Sequence, residues 1–92
     1  MTLGRGGIGG YEFGRMVFLF SMTDGDKDLP CAISAAAMDD LEHIARTKPD
    51  QRKAQFLRLR DRIEQCASRK FLAREFEGSS PCIILRSIDF RG

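Results

Sequence analysis

The most continuous apolar stretch of the chain is residues 16–20, Met-Val-Phe-Leu-Phe, which is rich in residue types that favour strands. The turn signal Asp24-Gly25 follows, and residues 29–33 are largely apolar again. This pattern predicts a β-hairpin with a loop of five or six residues. Its second strand is expected to begin after Pro30 or to run along a sheet edge, because proline donates no ladder hydrogen bond. The continuous hydrophobicity of residues 16–20 predicts a strand covered on both faces, or one with helices on one face and a partner chain on the other.

Two helices are predicted in the middle of the chain. Ser34 is a suitable N-cap for the first, which should stop near Thr47, ahead of Pro49. Its apolar stripe consists of Met38, Leu41, Ile44 and Ala45. Asp50 is expected to cap a second, longer helix. The apolar stripe of that helix falls within an arc of about 100° and consists of Phe56, Leu59, Ile63, Cys66 and Ala67.

The last part of the chain is harder to assign. Residues 71–76 fit either a final helical turn or a strand, and we interpret them as a strand that pairs with a closing strand over residues 82–90 across the turn at 77–81. The predicted order is therefore ββ-αα-ββ. The predicted fold class is α+β, with an antiparallel sheet packed against two helices.

Glycine dominates the N-terminal segment, since residues 1–10 hold five of the nine glycines. This segment is predicted to be a flexible tail, and residues 11–92 a single small α+β domain. Gly4, Gly6 and Gly9 match a dinucleotide-binding fingerprint, but that motif must follow a strand and open a helix. Here the residues that follow are strand-like, so the pattern favours the tail.

Composition limits the class of protein. Hydrophobic residues make up 42% and charged residues 30%, which is ordinary for a soluble globular chain. There is no signal-peptide pattern and no apolar run of about 18 residues, so we expect a cytoplasmic protein that is not in a membrane. The three cysteines, Cys31, Cys66 and Cys82, are odd in number and widely spaced, which argues against disulfides and a zinc site. No metal or other cofactor is expected.

The sequence shows no combination of nucleophile, base and ligand residues spaced as a catalytic site requires. The loop from Asp24 to Asp28 resembles the first half of a calcium loop, but the positions that require glycine and glutamate hold Leu29 and Ala35. His43 is predicted to point away from the core, with Asp39 as a surface neighbour. The sequence favours a core role for Cys66 and leaves open whether any of the three cysteines is reactive. An enzyme is therefore the less favoured class.

Charge is distributed unevenly along the chain. Residues 12–45 carry 2 basic and 7 acidic side chains, a net charge of −5, whereas residues 46–74 carry 10 basic and 3 acidic ones, a net charge of +7. The net charge of +2 for the whole chain is thus a near-cancellation. Arg58, Arg62 and Arg69 share one stripe of the second helix, and Arg52 and Lys53 lie at its N-terminal end.

Three interpretations of this basic stripe remain open. The first is binding of nucleic acid or another polyanion by arginine contacts to phosphates. In the second, the basic part of one molecule meets the acidic part of a partner protein or of a second copy. The third is a solvated face with local pairs, Arg58 with Asp61 and Arg60 with Glu64. We favour a non-catalytic protein-interaction module, with dimerisation through a strand edge or through the faces of opposite charge as one form.

The order of these segments resembles a known family. The relevant residues are Met16-Val-Phe-Leu-Phe20, the Asp-Gly turn, Cys31-Ala-Ile-Ser34, residues 56–67 of the second helix and the closing stretch from Ile83 to Phe90. Together they resemble the bacterial family called domain of unknown function 1488, over residues 11–90. The resemblance implies a small cytosolic α+β domain and supplies no activity, cofactor or site residue.

Overall fold

Four strands form one sheet in the order β1-β2-β3-β4, and two helices lie in sequence between the third and fourth strands. The computed structural model describes residues 3–44, 47–78 and 81–90. The elements are β1 (Gly4–Glu12), β2 (Val17–Asp24), β3 (Lys27–Ser34), α1 (Ala35–Glu42), α2 (Arg52–Leu72) and β4 (Ile83–Leu85). The predicted α+β class is confirmed. The predicted element order and the wholly antiparallel sheet are wrong, because three strands precede the helices and β4 pairs parallel to β3.

The C-terminal region explains the parallel pairing. Residues 71–76, predicted as a strand, begin as the end of α2, which continues to Leu72. The chain therefore returns to the sheet through a helical crossover, which brings β4 in alongside β3 in the same direction. The closing strand is also shorter than predicted, since Asp89 Oδ2 accepts the Arg86 backbone N–H (2.8 Å) and the chain turns into a 3₁₀-helix over Ser87–Phe90.

Residues 4–10, predicted to belong to a flexible tail, form most of β1. Glycine lets this strand lie close to β2, because a Cβ on Gly6 would overlap the Ser21 carbonyl. Side chains of α2 also hold the strand. Arg5 Nε donates to Glu64 (2.9 Å), and Arg60 Nη2 donates to the Gly6 carbonyl (3.1 Å).

The hairpin between β2 and β3 is confirmed, but its loop is tighter than predicted. Asp24 pairs with Lys27, which leaves a turn of Gly25 and Asp26 in which glycine adopts a φ of +63°. The second strand also runs through Pro30 instead of beginning after it. In a strand, the N–H and the C=O of one residue point to the same side. The Pro30 carbonyl accepts the N–H of Cys82, just before β4 begins, so the N–H that proline lacks would also point to residues that precede β4.

The helices pack on one face of the sheet, where alternate residues of the strands are buried. All five residues of the predicted stripe of α2 are buried, as expected. The aromatic centre consists of Phe56 stacked on Phe18 (centroids 4.7 Å apart) and next to Phe20 (5.1 Å). The other large buried apolar side chains of this core are Met22, Ile33, Met38, Ile63, Ile83 and Leu85.

The helix ends differ from the sequence prediction. α1 ends at Glu42, where His43 adopts a left-handed φ of 56°, instead of near Thr47. Ala45, assigned to the stripe of α1, lies outside the described residues. Asp50 lies in a 3₁₀-turn over Pro49–Gln51 instead of capping α2.

The N-cap of α1 provides a direct stability test. The Ser34 hydroxyl accepts the Ala37 N–H at 3.1 Å, as the sequence predicts. We expect Ser34→Ala to lower the free energy of unfolding by about 1 kcal/mol, because that amide loses its partner. Urea unfolding would measure the loss, and Ser34→Thr is the matched control because it keeps the hydroxyl. Equal stability of the wild type and the alanine variant would contradict the assignment of Ser34 as a cap.

Candidate functional site

The arginine stripe of α2 is largely engaged by carboxylates of the same chain. Arg58 donates to both carboxylate oxygens of Glu42, at 2.8 and 2.9 Å, instead of pairing with Asp61. Arg60 pairs with Glu64 at 3.0 Å, as predicted. The hydrogen bond from Arg58 lowers the pKa of Glu42, which favours the charged pair. The basic and acidic segments of the chain therefore neutralise each other in part within one molecule.

Arg52 does not lie on an accessible face, although the sequence placed it among the candidate contacts. It is only 5% exposed. Its Nη1 donates to Asp39 (2.8 Å) and to Gln55 (2.7 Å), and its guanidinium carbon lies 5.6 Å from the centre of the Tyr11 ring. The heptad spacing from Arg52 to Leu59 is the signal that would have placed Arg52 on the buried side of α2.

Asp39 is the centre of this buried network. Its Oδ1 accepts hydrogen bonds from Thr47 (2.7 Å), Arg52 (2.8 Å) and Gln55 (3.0 Å). Burial acts to raise the pKa of Asp39, but these three donors outweigh it and hold the pKa below its ordinary value. We call these four residues the Asp39 network. It ties α1 to α2 and the segment between them, which is a structural role.

Two further cations of α2 hold the C-terminal 3₁₀-helix. Lys70 is buried, and its Nζ donates to the Ile84 carbonyl (2.9 Å) and to Asp89 (3.2 Å). Arg69 Nη2 donates to the Asp89 carbonyl at 2.6 Å. Of the five predicted contact residues, only Arg62 and Lys53 lack an ion pair or side-chain hydrogen bond with the described parts of the chain. Arg62 and Lys53 are thus the exposed members of the predicted set that have no such partner in the described ranges.

The cysteines and His43 are not arranged as a nucleophile and base. Burial is the largest cause that raises the pKa of Cys31, to about 12, and burial likewise raises the pKa of Cys66. Both are therefore thiols at neutral pH. Exposed His43 lies beside a depression of about 400 Å³ that Arg62 also lines, and its side chain has no hydrogen bond to another described residue.

The sheet has a second face that no described helix covers. Successive side chains of a strand point to opposite faces of the sheet. Every second side chain therefore packs against the helices, and the side chains between them lie on the other face. We call the second side the uncovered face; its central residues are Val17, Leu19 and Ser21 of β2, Pro30, Ala32 and Ser34 of β3, and Ile84 of β4. None of these side chains is charged. Its β1 side adds glycines, which leave this part of the sheet nearly without side chains.

The two ends of the uncovered face carry different charged residues. At one end, a depression of about 560 Å³ is lined by Val17, Ile84 and Ile88, and its only charged lining residues are Arg15 and Arg86. Ile88 is 70% exposed there. We call this depression the arginine pocket.

The other end carries the turn between β2 and β3, which we call the acidic tip, residues 24–28. It has three aspartates and one lysine, a net charge of −2. None of these aspartates has an ion pair with a residue of the described ranges. The uncovered face is therefore mostly apolar at its centre. One end carries the acidic tip, and the other carries two arginines that are paired with Glu12 and Glu77.

The described ranges contain neither a metal site nor a helix that could span a membrane. No three potential ligands among the histidine, cysteine, aspartate and glutamate side chains of these ranges lie close enough to hold a metal ion. Neither helix of the described structure has the length and apolar character that crossing a membrane requires.

Comparison with known proteins supports the fold and supplies no activity. No curated protein matches the chain. A crystal structure of a protein of unknown function from the DUF1488 family, from Shewanella loihica PV-4, is similar, with a TM-score of 0.75, 15% identity and coverage of 86% of each chain. At that identity the likeness concerns the fold. The family model described as "Protein of unknown function (DUF1488)" matches residues 11–84. The chain therefore belongs to the DUF1488 family.

Proposed function

We propose that the protein is a non-catalytic interaction module that binds another polypeptide through the uncovered face of its sheet. The observation that carries the proposal is that Val17 and Leu19 of β2 are apolar on the side of the sheet opposite the helices. Contiguous apolar surface without cover is typical of a protein-binding site.

The packing of the uncovered face supports this use. Leu19 and Ile84 are half-buried, and they flank Ala32, which is buried between them in the register of the sheet. The row is flat because the β1 residue paired with Leu19 is Gly10. A flat apolar row rimmed by charged ends suits a partner that lies across the strands, since the centre excludes water and the rims fix orientation.

The non-catalytic part of the proposal rests on the protonation and the surroundings of Cys31 and Cys66. Cys31 and Cys66 lie in the core, where burial raises the pKa of each thiol. Each thiol donates to a backbone carbonyl, Cys31 to that of Leu29 and Cys66 to that of Asp89, and not to a side-chain base. The arginine pocket is lined by apolar residues, by serines and by two arginines that are already paired, Arg15 with Glu12 and Arg86 with Glu77.

Polyanion binding is the alternative, and its support is weaker. A phosphate ligand for the stripe of α2 would have to compete with Glu42 for Arg58 and with the Asp89 carbonyl for Arg69. The support for polyanion binding comes from Arg62 and Lys53, because both are exposed and neither has an ion-pair partner in the described ranges. Two cations give a salt dependence with a log-log slope of only about −2.

Leu19→Glu tests the proposed function. The substitution places a charge at the centre of the uncovered face, where it can still reach water in the free protein, so we expect binding to fall by about tenfold or more while the fold persists. Leu57→Glu is the matched control, because Leu57 is an exposed leucine (47%) on α2. Sedimentation velocity of the purified protein and capture from a nuclease-treated and an untreated lysate would measure binding, and circular dichroism would check folding.

The outcomes separate the proposals. Loss of a complex in Leu19→Glu but not in Leu57→Glu supports the uncovered face. A complex that is unchanged in Leu19→Glu overturns it, as does a wild type that stays monomeric and captures nothing. Capture that requires nucleic acid and disappears when Arg58, Arg62 and Arg69 are replaced together by glutamine would favour the polyanion alternative instead.

A further inference from the structure

We propose that the depression beside His43 binds a free aliphatic α-amino acid, with the ligand carboxylate on Arg62 and the ligand ammonium group on Asp40. The depression has a volume of about 400 Å³ and lies between the end of α1, the middle of α2 and the C-terminal 3₁₀-helix. This volume is within the range of small-molecule pockets, about 300–1,000 Å³. The site shares no residue with the centre of the uncovered face, so the inference does not depend on the proposed function.

Arg62 is the cation in the middle of a stripe of α2 whose other arginines are anchored. Arg58, one turn earlier, pairs with Glu42 of α1. Arg69, two turns later, donates to the Asp89 carbonyl of the 3₁₀-helix. Arg62 lines the depression between these two contacts and has no ion pair or side-chain hydrogen bond with another residue of the described ranges. Its guanidinium therefore offers N–H donors to a ligand, and their fork geometry matches a carboxylate.

A carboxylate of α1 lines the same depression. Asp40 is exposed, and it has no ion pair with Arg62 or with any other residue of the described ranges. It lies in the last turn of α1, where the final carbonyls of a helix carry partial negative charge. Both features attract a cation and repel a ligand that is only anionic. One cation and one anion that line a single cavity without pairing with each other complement a ligand that carries both charges.

The other lining residues suit an aliphatic side chain. Leu41 and Phe90 are half-buried and Ala37 is buried, so together they form an apolar patch. Ser87 adds a hydroxyl that can donate to the ligand carboxylate. Lys70 of α2 fixes the 3₁₀-helix that carries Ser87 and Phe90, so this wall is in place before a ligand binds.

Three probes of the same shape test the assignment. They are L-leucine, isocaproate, which is leucine without the ammonium group, and isoamylamine, which is leucine without the carboxylate. Amide NMR shifts of the isotope-labelled full chain would give a dissociation constant for each probe. We expect leucine to bind about tenfold or more tightly than either analogue, because each analogue loses one charge-assisted contact.

Two variants locate the contacts. Arg62→Gln and Asp40→Asn should each weaken leucine binding by about tenfold or more. Leucine should then bind Arg62→Gln no better than isoamylamine does, and it should bind Asp40→Asn no better than isocaproate does. Lys53→Gln and Asp50→Asn are the matched controls, because both residues are exposed charges near the start of α2 that do not line the depression. Circular dichroism would check that all four variants fold.

Each outcome decides the inference. Leucine binding that is weakened in Arg62→Gln and Asp40→Asn but kept in the controls supports the site. Equal affinity for leucine and isocaproate overturns it, because the ammonium group then makes no contact. Binding of inorganic phosphate that Arg62→Gln and Lys53→Gln weaken alike would also overturn it and would favour the polyanion alternative. No shift with leucine up to its solubility limit overturns it outright. Leu19→Glu should bind leucine as the wild type does, so the proposed function stands or falls separately.

Discussion

Replacing Phe56 with alanine should lower the free energy of unfolding by about 3–5 kcal/mol. The Phe56 side chain is fully buried and contacts two aromatic rings of β2, Phe18 and Phe20, at centroid distances of 4.7 and 5.1 Å. Truncation removes these contacts and leaves a cavity between α2 and the sheet that the surrounding strands can only partly close. Small domains are stable by about 5–15 kcal/mol, so this single change removes a large share of the total.

The matched control is Leu57→Ala, one residue further along the same helix. Leu57 is 47% exposed and does not belong to the core cluster, so we expect its truncation to change stability by about 0.5 kcal/mol or less. Urea unfolding monitored by circular dichroism would give both values. Similar losses for the two variants would mean that α2 does not present Phe56 to the sheet.

Asp39→Ala should destabilise the protein by a similar amount, about 3–5 kcal/mol, for a different reason. The variant removes the carboxylate that accepts hydrogen bonds from Arg52 and Gln55, and it leaves the buried Arg52 guanidinium without its counter-charge. Asp40→Ala is the control, because Asp40 is the neighbouring carboxylate and is exposed. Its removal should change little.

The double variant Asp39→Leu with Arg52→Met identifies why Asp39→Ala is destabilised. If the loss in Asp39→Ala comes from an uncompensated buried charge, replacing both partners with apolar residues should recover part of the stability. A double variant that is less stable than Asp39→Ala would mean that the network acts through its geometry more than through charge compensation.

The Asp39 network also predicts how stability depends on pH. The pKa of Asp39 in the folded protein lies below its ordinary value of 3.8, because hydrogen bonds from its three donors outweigh burial. A depressed folded-state pKa contributes stability that is present above the unfolded-state pKa and is lost as the pH falls through the folded-state pKa. Wild-type stability should therefore decline below about pH 4, and Asp39→Asn should show a shallower decline from a lower starting value. Equal slopes for the two proteins would contradict this assignment.

The sequence predicted the features that depend on nearby residues and missed those that depend on contacts between residues far apart in the chain. The apolar stripe of α2 was predictable because helical periodicity follows from local geometry, and the N-cap at Ser34 because it depends on residues three apart. The strand over residues 71–76 was predicted wrongly, because the end of α2 depends on contacts that Lys70 makes with residues 84 and 89. The partners of the arginines were also out of reach, since Arg58 and Glu42 are 16 residues apart on different helices.

The sequence by itself determined the fold class, the two helices, the first hairpin and the separation of charge along the chain, because each of these follows from residue type and short-range spacing. Only the tertiary structure decided which charges are engaged and which surface is left for a partner. Folding brings the acidic first half against the basic second helix, so that Asp39 and Glu42 neutralise Arg52 and Arg58 of α2. It also places both helices on one side of the sheet, and the continuous hydrophobicity of β2 then leaves an apolar face opposite them.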